Sequence, residues 1–332
     1  MVSLKDVAKR AGVSAMTVSR TLNGNYPVSA ATRARVLAAA SALDYEPNVM
    51  GRNLRAPFNR TVLVAGLGFV ESILTGVYAA ANELGYEVIL MHTRLCNRGD
   101  YVRRIRNGMT SGILFMNMMD EEAMAEVGAR HPMVQCGSAS DLEGACTVTV
   151  DEEAAAHDLF SRLAMQGRRR IAYVSATIGG QPPLMSLRRE DGYLRALAEH
   201  GLEAAPALRF RTEFLREDLT PALALSNRFL RLDPAQRPDA IVFDQNVQAV
   251  ACVNRFRETG LALPQEIAVA SMDDQPINDV IQPTLTAVGR PYEEMGREAM
   301  RMLAQRIEGR PLACGRLVFP HELMARGSTG PL

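Results

Sequence analysis

Residues 4–24 read LKDVAKRAGVSAMTVSRTLNG. Leu4, Val7, Ala8 and Ala11 recur at the three- and four-residue steps that place side chains on one helical face, so a short amphipathic helix is expected there. Gly12 breaks it ahead of Val13. Ser14 follows as an N-cap, and a second helix runs from Ala15 to about Leu22 with Val18 and Leu22 turned inward. Two short helices joined at a glycine form a helix-turn-helix, whose second helix lies in the DNA major groove with its N-terminal residues near base edges. Ala15, Met16, Thr17 and Arg20 are expected to point away from the core. Arg20 can pair bidentately with guanine, and Ala15, Met16 and the Thr17 methyl suit thymine methyls. Ser14, Ser19 and Asn23 complete the set, Ser19 and Asn23 as holders of phosphate. By periodicity alone the same helices also fit part of a larger bundle.

Working outward, Ser29 caps a third helix carrying Thr32, Val36, Leu37, Ala40 and Leu43 at helical spacing, which ends near Asp44 and Tyr45. Pro47 holds Glu46 extended, and the segment from Asn48 to Arg55 is long enough for one or two turns before Pro57 stops it. So short a helix does not persist unaided in water and needs a partner to fold. Charge sets this region apart. Residues 1–60 carry nine Lys or Arg against three acids, while the remainder carries 28 against 34, so a net charge of zero conceals +6 on the first part and −6 on the rest. A basic module on an acidic body points to a polyanion partner for the module, or to an unevenly charged surface.

At 332 residues the chain calls for two or three packed units, and 47% hydrophobic with 22% charged residues is an ordinary globular balance. No apolar run approaches the roughly 20 residues that span a bilayer, and Met1 to Asp6 lacks a signal-peptide core, so a cytoplasmic protein with no membrane partner is expected. The five cysteines, Cys96, Cys136, Cys146, Cys252 and Cys314, show no CxxC pairing and read as reduced thiols. Beyond Arg60, short β-branched runs at 61–66, 86–91, 112–116, 170–175, 240–243 and 267–271 alternate with helical patterns such as 74–84 and 191–200. This alternation implies parallel sheets with helices on both faces.

The headpiece run of residues 4–24, then VSAATRARVLAAASALDYEPN from Val28 and GRNLR from Gly51, resembles the lactose repressor (LacI/GalR) family. Landmarks of the body appear in the same order: Val148-Thr149-Val150-Asp151, Gly167 to Tyr173, Ser186-x-x-Arg189-x-x-Gly192-Tyr193, Ser271-Met272-Asp273-Asp274, Pro283-x-Leu285-Thr286, and Glu322-Leu323 with Arg326-Gly327-Ser328. The resemblance covers nearly the full length. It implies an all-α helix-turn-helix headpiece plus an α/β periplasmic-binding-protein-like body of two doubly wound parallel-sheet subdomains joined by three crossovers. The expected divisions are 1–46 for the headpiece, 47–60 for hinge helix and linker, and 61–332 for effector binding and dimerisation. Within the body an N-subdomain takes about 61–161 and 291–320, and a C-subdomain about 162–290 and 321–332.

The resemblance further implies a dimer whose hinge helices pair in the minor groove of a nearly palindromic operator, with Leu54 inserted between base pairs as a wedge. Asn48 and Arg52 join Leu54 as hinge contacts. The family usually has Ala where this chain has Gly51, and Gly costs a helix about 1 kcal/mol. A small-molecule effector is expected in the cleft between subdomains, a sugar or sugar acid on the family's habit. Arg189 and Asp273 would clamp its polar groups, or else form a structural ion pair; Gln245 would face the cleft, with Asn246 where the family carries Asp. The loop after the first strand, Gly66 to Glu71, is shorter than in the family and leaves Phe69 as its aromatic candidate. No heptads follow Arg326, so a homodimer is expected rather than a coiled-coil tetramer.

Two other classes share parts of this pattern. A periplasmic sugar-binding protein would share the body but needs a signal peptide and no headpiece. A nicotinamide-dependent enzyme is suggested by Gly66-x-Gly68 after a strand, but the third glycine of the fingerprint would fall on Glu71. No catalytic residue, metal ligand or cofactor is expected, and the chain reads as a transcription regulator, most often a repressor, acting at the nucleoid.

Overall fold

The computed structural model describes residues 2–23, 28–45, 60–93, 98–107, 110–116, 121–137, 142, 145–214, 218–312 and 315–330. The chain divides into two compact units, Met1–Arg60 and Thr61–Leu332.

The described residues of the first unit form a cluster of three helices. Helix α1 spans Leu4–Ala11, and its start is fixed by Asp6, whose carboxylate accepts from the Ser3 backbone N–H at 2.8 Å and from Ser3 Oγ at 2.6 Å. Those hydrogen bonds hold the Asp6 carboxyl below its ordinary range. Gly12 ends the helix at φ 65°, in the left-handed region that glycine enters without strain. Helix α2 spans Ala15–Asn23, and Ser14 Oγ accepts from the Thr17 N–H at 3.1 Å, as expected of a cap. Helix α3 spans Ala30–Ala42, with Ser29 Oγ accepting from the Thr32 N–H at 3.2 Å. Val7, Ala8, Ala11, Val18, Val36, Ala39 and Ala40 form the core, with Leu22 and Leu43 packed against it. Leu37, expected inward, is 51% exposed. Val36 and Leu37 are separated by about 100° around the helix, and this small core takes only the face centred on Val36, Ala39 and Ala40.

The second unit holds two six-stranded sheets. The first lobe is built from β1 (Thr61–Gly66), α4 (Glu71–Leu84), β2 (Glu87–His92), α5 (Arg98–Asn107), β3 (Gly112–Met116), α6 (Glu121–Gly128), β4 (Met133–Cys136) and β5 (Thr147–Val150). The second is built from α7 (Glu152–Met165), β6 (Ile171–Thr177), α8 (Leu184–Glu199), β7 (Arg209–Glu213), α9 (Thr220–Arg231), β8 (Ala240–Phe243), α10 (Asn246–Glu258), β9 (Ala268–Ser271) and β10 (Thr286–Gly289). The chain then returns to the first lobe with α11 (Tyr292–Ile307) and β11 (Arg316–Phe319), and ends on the second with β12 (Glu322–Met324). Strand orders are β11-β5-β4-β3-β1-β2 and β12-β10-β9-β8-β6-β7, parallel throughout except for β10 with β12. Central strands are buried on both faces, which is why they read as unbroken apolar runs; the edge strands β2 and β7 are only partly covered, β2 still carrying the apolar run Val88 to Met91 and β7 reading as mixed.

The passage to the second lobe comes at Asp151, earlier than the 161/162 division expected. Ala155, Ala156, Leu159, Phe160 and Leu163 of α7 pack with Tyr193 of α8 beneath Ile171, Ala240 and Val288, so all of α7 belongs to the second lobe. In the first lobe α4 and α11 cross in close backbone contact at Gly76 and Gly296. A methyl on Gly76 would overlap the Glu293 carbonyl oxygen, and one on Gly296 the Ile73 carbonyl oxygen. Cys136, Cys146 and Cys252 are buried free thiols; Cys96 and Cys314 lie outside the described residues. No helix among the described residues is long and apolar enough to cross a membrane, and they bring no three His, Cys, Asp or Glu side chains together in a metal-binding cluster.

Candidate functional site

Each unit carries one candidate. On the first, Met16 and Arg20 stand one turn apart on the outer face of α2, Met16 being 64% exposed. Thr17 lies beside them, half-buried, its hydroxyl 2.9 Å from Ser14 Oγ. Ser14 is exposed and Ser19 half-buried. Ala15, expected outward, is half-buried and packs against the headpiece core. Asn23 ends α2, with its side chain outside the described residues, as are Asn48, Gly51, Arg52 and Leu54 entirely. Lys5, Lys9, Arg10, Arg20, Arg33 and Arg35 are all exposed, so the positive charge of these side chains is on the surface.

On the second unit a cavity of about 300 Å³ lies between the lobes, within the range of small-molecule sites. In both sheets the strand order reverses direction beside the first strand of the lobe, and the cavity residues sit just past strand carboxyl ends, where open α/β sheets bind ligands. Leu67, Gly68 and Val70 follow β1; Gly137 follows β4; Glu152 follows β5; Phe214 follows β7; Asp244, Gln245 and Asn246 follow β8; Asp273 follows β9; Tyr292 opens α11.

A buried ionic network forms the floor. Asp151 caps α7 by accepting from the Ala154 N–H at 2.9 Å, which turns the next residue, Glu152, into the cavity. Glu152 is 4% exposed, and its Oε2 accepts from Arg189 Nε and from Arg290 Nη2, each at 2.7 Å. Burial alone would push this carboxyl up, but the two guanidinium charges and their hydrogen bonds outweigh it and hold it below its ordinary value. Arg189 also donates to Asp244 Oδ1 at 3.2 Å. Asp244 further accepts from Tyr173 Oη at 2.6 Å, the Ala176 N–H at 2.9 Å and Ser186 Oγ at 2.7 Å, so its oxygens are saturated by protein donors. Arg290 donates in addition to the carbonyls of Met272 and Val288. Across the lobes, Tyr292 Oη donates to Asp273 Oδ1 at 2.6 Å; burial and the neighbouring Asp273 charge push this phenol far above its ordinary value, so it remains a donor.

Of the expected ligand residues, Arg189, Gln245 and Asp273 line this cavity, and Phe69 does not. Phe69 turns away between Gly68 and Val70, meets His92 edge-on with ring centroids 5.8 Å apart, and packs on the first-lobe core. Arg189 is bonded to the carboxylates of Glu152 and Asp244. Asp273, by contrast, is bonded to Tyr292 and Gln275 rather than to Arg189. Asn246 donates to the Asp273 carbonyl at 2.9 Å and to Asn278 Oδ1 at 2.7 Å, so an amide orders this loop where the family has a carboxylate. Glu152, Arg290 and Tyr292 escaped the sequence reading. The available signal was position, since each comes within three residues of a strand's carboxyl end.

Residues 3–48 match the model of bacterial regulatory proteins, lacI family, and residues 160–329 that of a periplasmic binding protein-like domain. The chain is 31% identical over 339 residues to the HTH-type transcriptional repressor CytR of Escherichia coli (strain K12), covering 99% of this chain and 97% of that protein. It is 28% identical over 338 residues to catabolite control protein A of Priestia megaterium, covering 99% of each. Among solved structures, a transcriptional regulator CelR–cellobiose complex superposes with a TM-score of 0.72 at 28% identity, over 99% of this chain and 100% of that one. The lac repressor dimer bound to operator and the anti-inducer ONPF shares the fold, with a TM-score of 0.84 at 23% identity over 99% of each chain.

Proposed function

This chain belongs to the lacI family of bacterial regulatory proteins, and on that premise we propose that it represses transcription from a nearly palindromic operator, with its grip on DNA set by a small molecule between the lobes of its body. The observation that carries the reading is the cavity itself: buried polar groups converge on it from the carboxyl ends of strands in both lobes, in a chain that also bears a capped helix-turn-helix. Arg20, Met16 and Thr17 read base edges; Ser14, Ser19 and Asn23 hold phosphates; Asn48, Arg52 and Leu54 form the hinge contact. Arg189, Gln245 and Asp273 surround the effector, and Glu152, Asn246 and Tyr292 are added to them.

The working form is a homodimer. Apolar side chains left exposed on the first lobe, Tyr78 of α4 with Ile89 and Leu90 of β2, and on the second, Ile277 and Val280, suit burial against a second copy. Effector binding changes the angle between the lobes, through contacts such as Tyr292 with Asp273, and so changes the ability of paired hinge segments to fold on DNA. The protein acts in the cytoplasm at the nucleoid and turns over no substrate. Operator duplex enriched from a random library by the purified chain supplies the test, titrated by fluorescence anisotropy with and without effector candidates. Effector and operator must change each other's affinity by the same factor. Independence of the two equilibria would refute the coupling.

A further inference from the structure

Sulfur is unevenly accessible along this chain. All five cysteines lie in the body, and residues 1–60 hold none. Of the described cysteines, Cys136 and Cys252 are fully buried and Cys146 is 5% exposed. Burial pushes the Cys136 and Cys252 thiols up to about 12, so both stay protonated and poorly nucleophilic. Many described methionines are covered too, Met116, Met124, Met272, Met295 and Met300 having no exposed surface. Two of the described methionines stand open: Met16 of α2, 64% exposed, and Met165, 70% exposed at the end of α7. Met165 belongs to the second lobe of the body. Met16 stands one turn from Arg20 on the outer face of α2, with Thr17 beside it.

A thioether reacts without losing a proton, so accessibility alone exposes it to oxidation, whereas a thiol must first ionise. With hypochlorous acid, the sulfur lone pair attacks chlorine and hydroxide leaves. Hydroxide then displaces chloride from the chlorosulfonium, and loss of a proton gives the sulfoxide. Sulfur gives up two electrons, chlorine ends as chloride, and one proton is released. The product is a polar group whose oxygen only accepts hydrogen bonds. A thymine methyl, which suits the Met16 thioether, offers that oxygen nothing, while the amino groups of adenine and cytosine donate to it. Oxidation therefore removes an apolar contact at one base pair and turns preference there toward an amino-bearing edge. Operator bound over α2 covers Met16, so the free protein is the form that reacts.

Taking α2 as the base-reading helix, as read above, we propose that Met16 is an oxidation-sensitive DNA contact, converted to its sulfoxide by hypochlorous acid with loss of operator affinity and restored by enzymatic sulfoxide reduction. The full-length chain is treated with graded hypochlorous acid and quenched with free methionine. Peptide mass spectrometry follows each sulfoxide, and fluorescence anisotropy follows binding to the enriched operator duplex. Met16 and Met165 are expected to oxidise ahead of the buried methionines. Affinity should fall with Met16 oxidation by on the order of tenfold, the cost of about one mismatched base pair. Dithiothreitol should leave that loss in place, and methionine sulfoxide reductases A and B together should reverse it. Operator duplex added first should slow oxidation of Met16 and not of Met165. Met16→Leu, referred to its own untreated affinity, should lose nothing on treatment, while Met165→Leu should lose as much as wild type; the wild-type arms need no variant. Full conversion of Met16 with affinity unchanged, a loss that dithiothreitol reverses, an equal loss in Met16→Leu, or no protection by the duplex would each overturn the proposal and leave the repressor reading standing. An untreated chain that enriches no duplex would overturn both.

Discussion

Replacing Glu152 by Ala tests how the cavity floor is held. The carboxylate sits between two cations whose side chains are 4% (Arg189) and 1% (Arg290) exposed, and one of its oxygens serves both. Without it, Arg189 still faces Asp244 at 3.2 Å, but Arg290 keeps only the Met272 and Val288 carbonyls and an Asp273 oxygen 3.9 Å away. The cost is therefore set by Arg290, a buried cation deprived of its close counter-charge, for which about 3–5 kcal/mol is the usual penalty. Urea denaturation of the body at neutral pH measures it. Adding Arg290→Met removes the stranded charge, so the double variant should be more stable than Glu152→Ala alone. A single-variant loss below about 1 kcal/mol, or a double variant weaker than the single, would refute the reasoning. The acid limb offers a second readout. Because the Glu152 carboxyl is held below its ordinary 4.5 in the fold, the unfolded chain takes up its proton first as pH falls. Its stabilisation is complete above 4.5 and lost as pH falls through the lower folded value, and Glu152→Gln should flatten that limb.

Arg20→Ala should cost about 1–3 kcal/mol of operator binding and relax base preference at one position; a uniform loss across all sequences would make Arg20 a phosphate contact instead. Gly51→Ala should tighten operator binding by up to about 1 kcal/mol through easier hinge folding, and equal affinities at fixed salt would sink that idea. Gly296→Ala places a methyl against the Ile73 carbonyl, so overpacking of about 1–3 kcal/mol should exceed the helix-propensity gain of about 1 kcal/mol. A rise in Tm would mean that α4 and α11 separate easily.

The headpiece was legible because its signals are local. Gly12, Ser14 and Ser29 act on the chain within three residues of themselves, and the helix ends fall where they indicate. Leu37 failed because periodicity locates an apolar stripe but not its centre when two neighbours are both apolar. Six strands, β1, β2, β3, β6, β8 and β9, were legible from their apolar runs, whereas the four-residue strands β4, β5 and β10 did not stand out and β7, reading RFRTE at an edge, gave no apolar signal. The cavity was only half legible. Arg189, Gln245 and Asp273 sit inside recognisable motifs, but Glu152 reads as a surface acid favouring a helix N-terminus, and only the distant Arg189 and Arg290 make it a buried ion. Phe69 lost its expected place to a contact with His92, set by tertiary packing rather than by any pattern within its own loop.

The interleaving of the lobes bears on the order in which the protein can be made. The first-lobe core on the α4 side includes Met295, Ala299, Met300, Leu303 and Ile307 of α11, which follow the main segment of the second lobe in the chain. As the polypeptide leaves the ribosome, Ile73, Val77 and Ala80 therefore stay uncovered until that segment has been translated, on the order of ten seconds at about 5–20 residues per second. The second lobe's principal sheet, from β6 to β10, is contiguous and free to close first. The lobe that comes second in the sequence is thus the one able to finish first, and the nascent first lobe is the stretch that would need a chaperone's cover.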